Sequence, residues 1–135
     1  MKASYLLDTN VCVELLRGNA DIAQAINKVG IENCCISELT VAELKFGEEY
    51  GRMKGLNLKS QGLSVFLDAM SIIPISSSID LFACEKAKQK YAGRSNGDDF
   101  DLLIGCTAVV NGMYMVTHNT KHFKNIAGIE LVDWM

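Results

Sequence analysis

Proline is nearly absent from this chain, one residue in 135, and there is a single tryptophan. So little proline beside 49% hydrophobic side chains leaves no composition for a disordered tail or a proline-rich linker. Long apolar runs are missing as well: none reaches the roughly 18 residues of a membrane-spanning helix. The opening Met1-Lys2-Ala3-Ser4-Tyr5-Leu6-Leu7 is too short to serve as a secretory leader, and Asp8 breaks it. No Cys-x-x-Cys pair occurs, and no Gly-x-x-x-x-Gly-Lys-Ser/Thr loop, which removes zinc ribbons and P-loop phosphate sites. The cysteines, Cys12, Cys34, Cys35, Cys84 and Cys106, are odd in number and sit among apolar residues. They read as small buried hydrophobes of a reducing cytosol rather than as a disulfide frame.

Positive charge is in short supply overall, with 13 Lys and Arg against 16 Asp and Glu and a formal net charge of −3. Taken alone, that speaks against a nucleic-acid partner. The distribution is uneven, however. Residues 1–44 carry three basic and six acidic side chains, residues 45–94 eight and five, and residues 95–135 two and five, giving −3, +3 and −3. A basic middle is either a set of solvated helix faces or a positive rim around a carboxylate site.

One domain spanning residues 1–135 is expected, since domains usually hold about 100–200 residues. Tyr5-Leu6-Leu7 predicts a strand ending at Asp8-Thr9-Asn10, which caps a helix through Val11 and Leu16 to Gly18. A helix over 20–29 follows, then a strand at Cys34-Cys35-Ile36. A helix opened by Ser37 or Thr40 runs through Glu43 and Phe46, its continuity weakened by Gly47, Gly51 and Gly55. Residues 63–70 read as helix, and Ile72-Ile73-Pro74-Ile75 as an edge strand because of its proline. Ser77 is expected to cap a long helix with Ile79, Phe82, Ala83, Ala87 and Tyr91 on its apolar face. Asn96-Gly97 signals a turn before a helix from Asp98 to Val110; Met113–Val116 and Glu130–Val132 close the list as strands. Short apolar strands alternating with helices predict an α/β sandwich around a mainly parallel sheet of four to five strands.

In such a sheet ligands bind beyond the carboxyl ends of the strands. Asp8 and Thr117-His118-Asn119 fall at those ends; Asp98, Asp99 and Asp101 head the helix feeding the penultimate strand, and Glu43 lies early in the helix after the second. Converging carboxylates raise one another's pKa, and a divalent cation relieves that. Oxygen-only ligation selects Mg²⁺ or Mn²⁺. Each acid also has a plainer reading. Asp8 serves as a helix cap, Thr40-x-x-Glu43 has capping-box spacing, and Asp98, Asp99 and Asp101 suit a helix N-terminus. His118 and His122 have i, i+4 spacing but follow a strand and lack the glutamate of a zinc hydrolase. Asp8-Thr9-Asn10 also has the start of a haloacid-dehalogenase-like nucleophile loop, without its second aspartate.

Tyr5–Asn10, Ser37–Gly47 around Glu43, Phe100–Gly105 with Asp101, and Met115–Asn119 resemble, in order and spacing, the motifs of PIN-domain ribonucleases. Lys121–Ile129 and Trp134 resemble the C-terminal signature of the VapC-type toxins within that family. The resemblance implies a PIN-like three-layer α/β/α sandwich and metal-dependent cleavage of structured or loop RNA. It implies one or two Mg²⁺ or Mn²⁺ ions held by Asp8 and Asp101, with Glu43 ligating directly or through water. Asn119 stands where many members have a fourth acid, and His122 where some toxins have another, so Asn119 enters as a ligand through its carbonyl. Thr9, Asn10 and Thr117 become groups that orient the carboxylates, and Asp98, Asp99 and His122 auxiliaries.

It further implies a cytoplasmic bacterial or archaeal protein, homodimeric, silenced by a small antitoxin that brings a basic side chain to the acids. Operator DNA is contacted only through the antitoxin, and no membrane is involved. Two alternatives stand beside the toxin: a PIN-fold binding module with lost nuclease activity, and a PIN nuclease of ordinary RNA processing.

Overall fold

The computed structural model describes residues 3–56, 60–94 and 97–135. The chain order is β1 (Tyr5–Leu7), α1 (Thr9–Leu16), α2 (Ala20–Val29), β2 (Cys34–Ser37), α3 (Glu38–Met53) and α4 (Ser60–Ala69), then β3 (Ser71–Ile73), α5 (Ile79–Tyr91), α6 (Asp99–Val110), β4 (Tyr114–Val116), α7 (Thr120–Phe123) and β5 (Leu131–Val132). The five strands form one sheet in the order β3-β2-β1-β4-β5, every pairing parallel. This is the expected three-layer α/β/α sandwich.

The layers follow from the two-residue period of a strand. Leu7, Cys34, Ile36 and Val116 face α1, α2, α3 and α4 through Val11, Ile22, Leu44 and Phe66. Their neighbours Leu6, Cys35 and Met115 face the opposite layer, packing against Leu102 and Cys106 of α6, Phe123 of α7 and Ile126. The three central strands β2, β1 and β4 are therefore apolar on both faces, as buried parallel strands demand.

Local signals explain most boundaries. The Asn19 side chain accepts from the Ile22 N–H at 3.1 Å to start α2, and Gly30 ends it with φ +92°, a conformation that favours glycine. Ser37, not Thr40, caps α3, accepting from Leu39 N–H at 3.1 Å; the Thr40–Glu43 capping box therefore does not form. Helix α3 also runs through Gly47 and Gly51 to Met53. Each internal glycine costs about 1 kcal/mol; burial of Gly51 and the bonds from Arg52 to Glu48 and Glu49 act against that cost. Strand β3 lies at the sheet edge with Pro74 just beyond it.

Three expectations change. Ser77 does not cap α5: a 3₁₀ turn over Ser76–Ser78 precedes that helix, and Ser78 bonds to Ile75 O and Thr107 Oγ1 instead. The face of α5 is rotated. Ile79, Ala83, Ala87 and Tyr91 point to solvent, Tyr91 being 96% exposed, while Ser78, Phe82, Glu85 and Gln89 turn inward. Cys84 follows the outer face and is exposed, unlike the four buried cysteines. Asn96, half of the expected turn, lies outside the described residues.

Glu85 is only 3% exposed. Its Oε1 has no hydrogen-bond partner among the described residues, and Lys88 Nζ approaches it at 3.5 Å. An apolar residue of similar volume at a poorly paired buried charge is often neutral or stabilising, by about 1–4 kcal/mol. Glu85→Leu is expected to raise the unfolding free energy by about 1 kcal/mol in urea titrations. A loss of about 2 kcal/mol or more would show that the carboxylate has a structural partner.

Candidate active site

The chain leaves β1 toward β2 and β3 on one side, then returns to lay β4 and β5 on the other. The strand order thus reverses between β1 and β4, and the crevice beyond their carboxyl ends is where open parallel sheets bind ligands. Asp8 follows β1 and Thr117 follows β4. The two segments are stitched together: Asp8 N–H donates to Val116 O at 2.9 Å, and Thr117 Oγ1 donates to Asp8 Oδ2 at 2.9 Å. Thr9 N–H donates to Asp8 Oδ1 at 2.8 Å, so both carboxylate oxygens are satisfied. Thr117 Oγ1 also accepts from Asn119 N–H at 3.0 Å, which leaves its own proton aimed at Asp8.

Thr9 works in two directions. While its N–H holds Asp8, its hydroxyl donates to Glu43 Oε1 at 2.7 Å and lies 3.0 Å from Thr40 Oγ1. Glu43 on α3 is thereby tied to the first turn of α1. Asp101 enters from the first turn of α6, with His122 Nδ1 of α7 at 3.6 Å from its Oδ2. Asp98 caps α6, accepting from Phe100 N–H at 2.8 Å.

These acids feel one another. Burial pushes the Asp8 carboxyl upward; the Thr117 bond opposes it, and Asp101 adds to the rise. Glu43 is raised by burial, against the Thr9 bond and with help from Asp98 and Asp8. Asp101 is raised by burial and then by Asp98, with His122 opposing and Glu43 adding a smaller push. Asp8, Glu43, Asp98 and Asp101 therefore form one repelling set. Its donors are all oxygen, the chemistry that fits Mg²⁺ or Mn²⁺, and its mutual repulsion is what a divalent cation relieves. Among the described residues, no three acidic, histidine or cysteine side chains already close on a single ion.

Other candidates lie apart. Asp99 is engaged by Lys86, and His118 by Asp133 at 3.0 Å, so His118 and His122 face different carboxylates. Asn10 and Asn119 are exposed, and Asn119 joins the network through its backbone N–H alone among the described bonds. Sequence reasoning gave Thr40 only a capping role, although it sits one turn before Glu43 on the same helix face and its hydroxyl meets that of Thr9. It also passed over Gly93-Arg94-Ser95-Asn96-Gly97, which has nucleophile-elbow spacing. That segment follows helix α5 rather than a strand, the wrong context for an elbow.

A PIN-domain family model matches residues 5–129. The chain belongs to the PIN-domain family. Ribonuclease VapC2 of Rickettsia felis is 30% identical over 133 residues, covering 96% of this chain and 97% of that protein. The tRNA(fMet)-specific endonuclease VapC of Shigella flexneri is 27% identical over 132 residues, with 96% and 97% covered. Among solved structures, VapBC2 from Rickettsia felis, bound to a DNA fragment from its promoter, aligns with TM-score 0.80 at 27% identity, covering 97% of this chain and 98% of the other. DNA-bound VapBC from Salmonella typhimurium aligns with TM-score 0.83 at 25% identity, covering 98% and 99%. This PIN domain is thus of the VapC type, and the motif resemblance holds along nearly its whole length.

Because the raised carboxyls of this PIN domain keep their protons to higher pH when folded than when unfolded, they favour folding most below the ordinary carboxylate range. That contribution is lost as pH rises through the raised values. In divalent-free buffer at pH 7, Asp101→Asn is expected to melt several degrees above the parent, with the gap closing toward pH 4. Adding Mg²⁺ should raise the melting temperature of the parent and leave the variant unmoved. A parent that melts at or above the variant at pH 7 without metal would contradict the repulsion.

Proposed function

We propose that this PIN-domain protein is a divalent-metal-dependent endoribonuclease and the toxin of a toxin–antitoxin pair, hydrolysing a phosphodiester in structured or loop RNA. The observation that carries the reading is the joint placement of Asp8, Glu43, Asp98 and Asp101 at the sheet's switch point, where burial and then neighbouring carboxylates raise the pKa values of Asp8, Glu43 and Asp101. The names of the relatives, ribonuclease VapC2 and tRNA(fMet)-specific endonuclease VapC, support it.

Asp8 and Asp101 would hold the ion, with Glu43 reaching it directly or through water. When bound, Mg²⁺ or Mn²⁺ supplies positive charge to the phosphate oxygens as water attacks phosphorus. Thr117 and Thr9 fix the Asp8 carboxylate, so its oxygens need not reorganise during the reaction. Glu43, with a raised pKa and one oxygen held by Thr9, is placed to accept the proton of the attacking water. Asn119, exposed and three residues beyond β4, would add its side-chain carbonyl as a further donor.

An antitoxin partner is supported by the solved relatives, which are VapBC complexes. Helix α3 presents Phe46, Tyr50 and Met53 at 69%, 53% and 82% exposure, starting one turn from Glu43. We assign that strip to the protein partner or to a second copy of the chain. A short antitoxin segment crossing it would arrive at the acids, where a basic side chain is attracted.

The test is cleavage of a tRNA pool that includes initiator tRNA, with Mg²⁺, with EDTA, and by Asp8→Asn and Asp101→Asn. Discrete fragments are expected with Mg²⁺ alone, and each substitution should slow them at least about 100-fold. Unchanged cleavage by the variants would refute the site. An intact RNA pool under every condition would favour a PIN-fold binding module.

A further inference from the structure

Beside the acids lies a cavity of about 270 Å³ between the end of α5, the start of α6 and α7. Asp101 and His122 form the wall it shares with the acid cluster, and Leu102 gives it apolar surface. Asp98 lines it on the same side, and its remaining polar side chains are Gln89, Arg94, Lys121 and Asn125, none of which the metal chemistry uses. Gln89 completes the inward face of α5 set by Ser78, Phe82 and Glu85, so the helix delivers an amide where packing alone would favour an apolar side chain. The two cations differ from others nearby. Lys86 is bound to Asp99 and Lys88 to Glu85, whereas Arg94 and Lys121 make no ion pair among the described residues.

The occupant this lining suits carries a phosphate and an edge of donors and acceptors. Small-molecule sites usually measure roughly 300–1,000 Å³, so about 270 Å³ limits the occupant to something near one nucleotide. Carboxamides read unstacked bases through paired hydrogen bonds, and Arg and Lys hold phosphate. A basic peptide would find its attraction to Asp98 and Asp101 opposed by Arg94 and Lys121 in the same lining. On the other flank of the cluster, Phe46 and Phe100 border Glu43 and Asp98 without any cation, so phosphate is favoured on the α5–α7 side alone.

We propose that this cavity binds the nucleotide adjoining the scissile phosphodiester, Arg94 and Lys121 holding its phosphate and the Gln89 and Asn125 amides reading its base. The inference rests on the ribonuclease reading and makes these four residues determinants of where the RNA is cut.

The experiment titrates the ¹⁵N-labelled full chain, in EDTA, with AMP, GMP, CMP, UMP and inorganic phosphate while the side-chain amide signals of Gln89 and Asn125 are followed. One nucleotide is expected to shift both signals at least about fivefold more tightly than the weakest of the four. Arg94→Ala with Lys121→Ala should weaken every nucleotide about tenfold, and Gln89→Met with Asn125→Ala should level the four. The spectrum of β1 and α2 reports whether each variant is folded, and the titration of the unaltered chain decides the matter without them. Shifts reproduced by inorganic phosphate, equal affinity for all four nucleotides, or no shift at Gln89 and Asn125 would each overturn the proposal. A chain that binds one nucleotide here yet cuts no RNA sinks the ribonuclease reading and leaves the cavity assignment standing. Cleavage without nucleotide binding here does the reverse.

Discussion

Asp8 is 3% exposed and sits among other acids, and the sheet edge is arranged so that its charge is tolerated there. A carboxylate so deeply buried needs partners for its oxygens. Thr9 N–H provides one from the next residue, and Thr117 Oγ1 the other from a segment that meets Asp8 because β1 and β4 pair. The same Thr9 then fixes Glu43, so one residue at the start of α1 sets the spacing of two acids. Asp98 caps α6 and Asp101 lies in its first turn, where the helix dipole favours negative charge. Hydrogen bonds and the dipole hold these groups in place without cancelling their repulsion. The counterweight we propose is a divalent cation.

The strands and most helices could be read directly because local chemistry and tertiary packing agree there. Tyr5-Leu6-Leu7 and Cys34-Cys35-Ile36 are short, apolar on both faces and flanked by capping residues. Helix α5 was misread because its apolar residues 79, 83, 87 and 91 lie on one stripe, yet that stripe faces solvent. Its inward face mixes Leu81 and Phe82 with Glu85 and Gln89, and hydropathy alone does not mark such a mixed face. The continuity of α3 was likewise hidden, since the burial of Gly51 is a tertiary fact. Asp8, Glu43 and Asp101 could be gathered from their positions relative to predicted strand ends. Thr40 could not, because only folding shows its hydroxyl beside that of Thr9.

The net charge of −3 now has a spatial meaning. Acids from both negative thirds of the chain converge at the switch point. The basic middle third brings one member, Arg94, to the cavity beside them, and Lys121 joins it from α7. We place phosphate on that flank of the acids, while α3 leaves an apolar strip on another. Substrate and protein partner are accordingly assigned different approaches to the same carboxylates.

The central claim is that Asp8, Glu43 and Asp101 are held in a repulsion that a divalent ion relieves. Carboxyl ¹³C titration of the metal-free protein measures it residue by residue. All three midpoints should lie above the ordinary values of about 3.9 for Asp and 4.3 for Glu. Mg²⁺ should then bring those of Asp8 and Asp101 below them. Midpoints at or under the ordinary values without metal, or midpoints that Mg²⁺ leaves unmoved, would contradict the account.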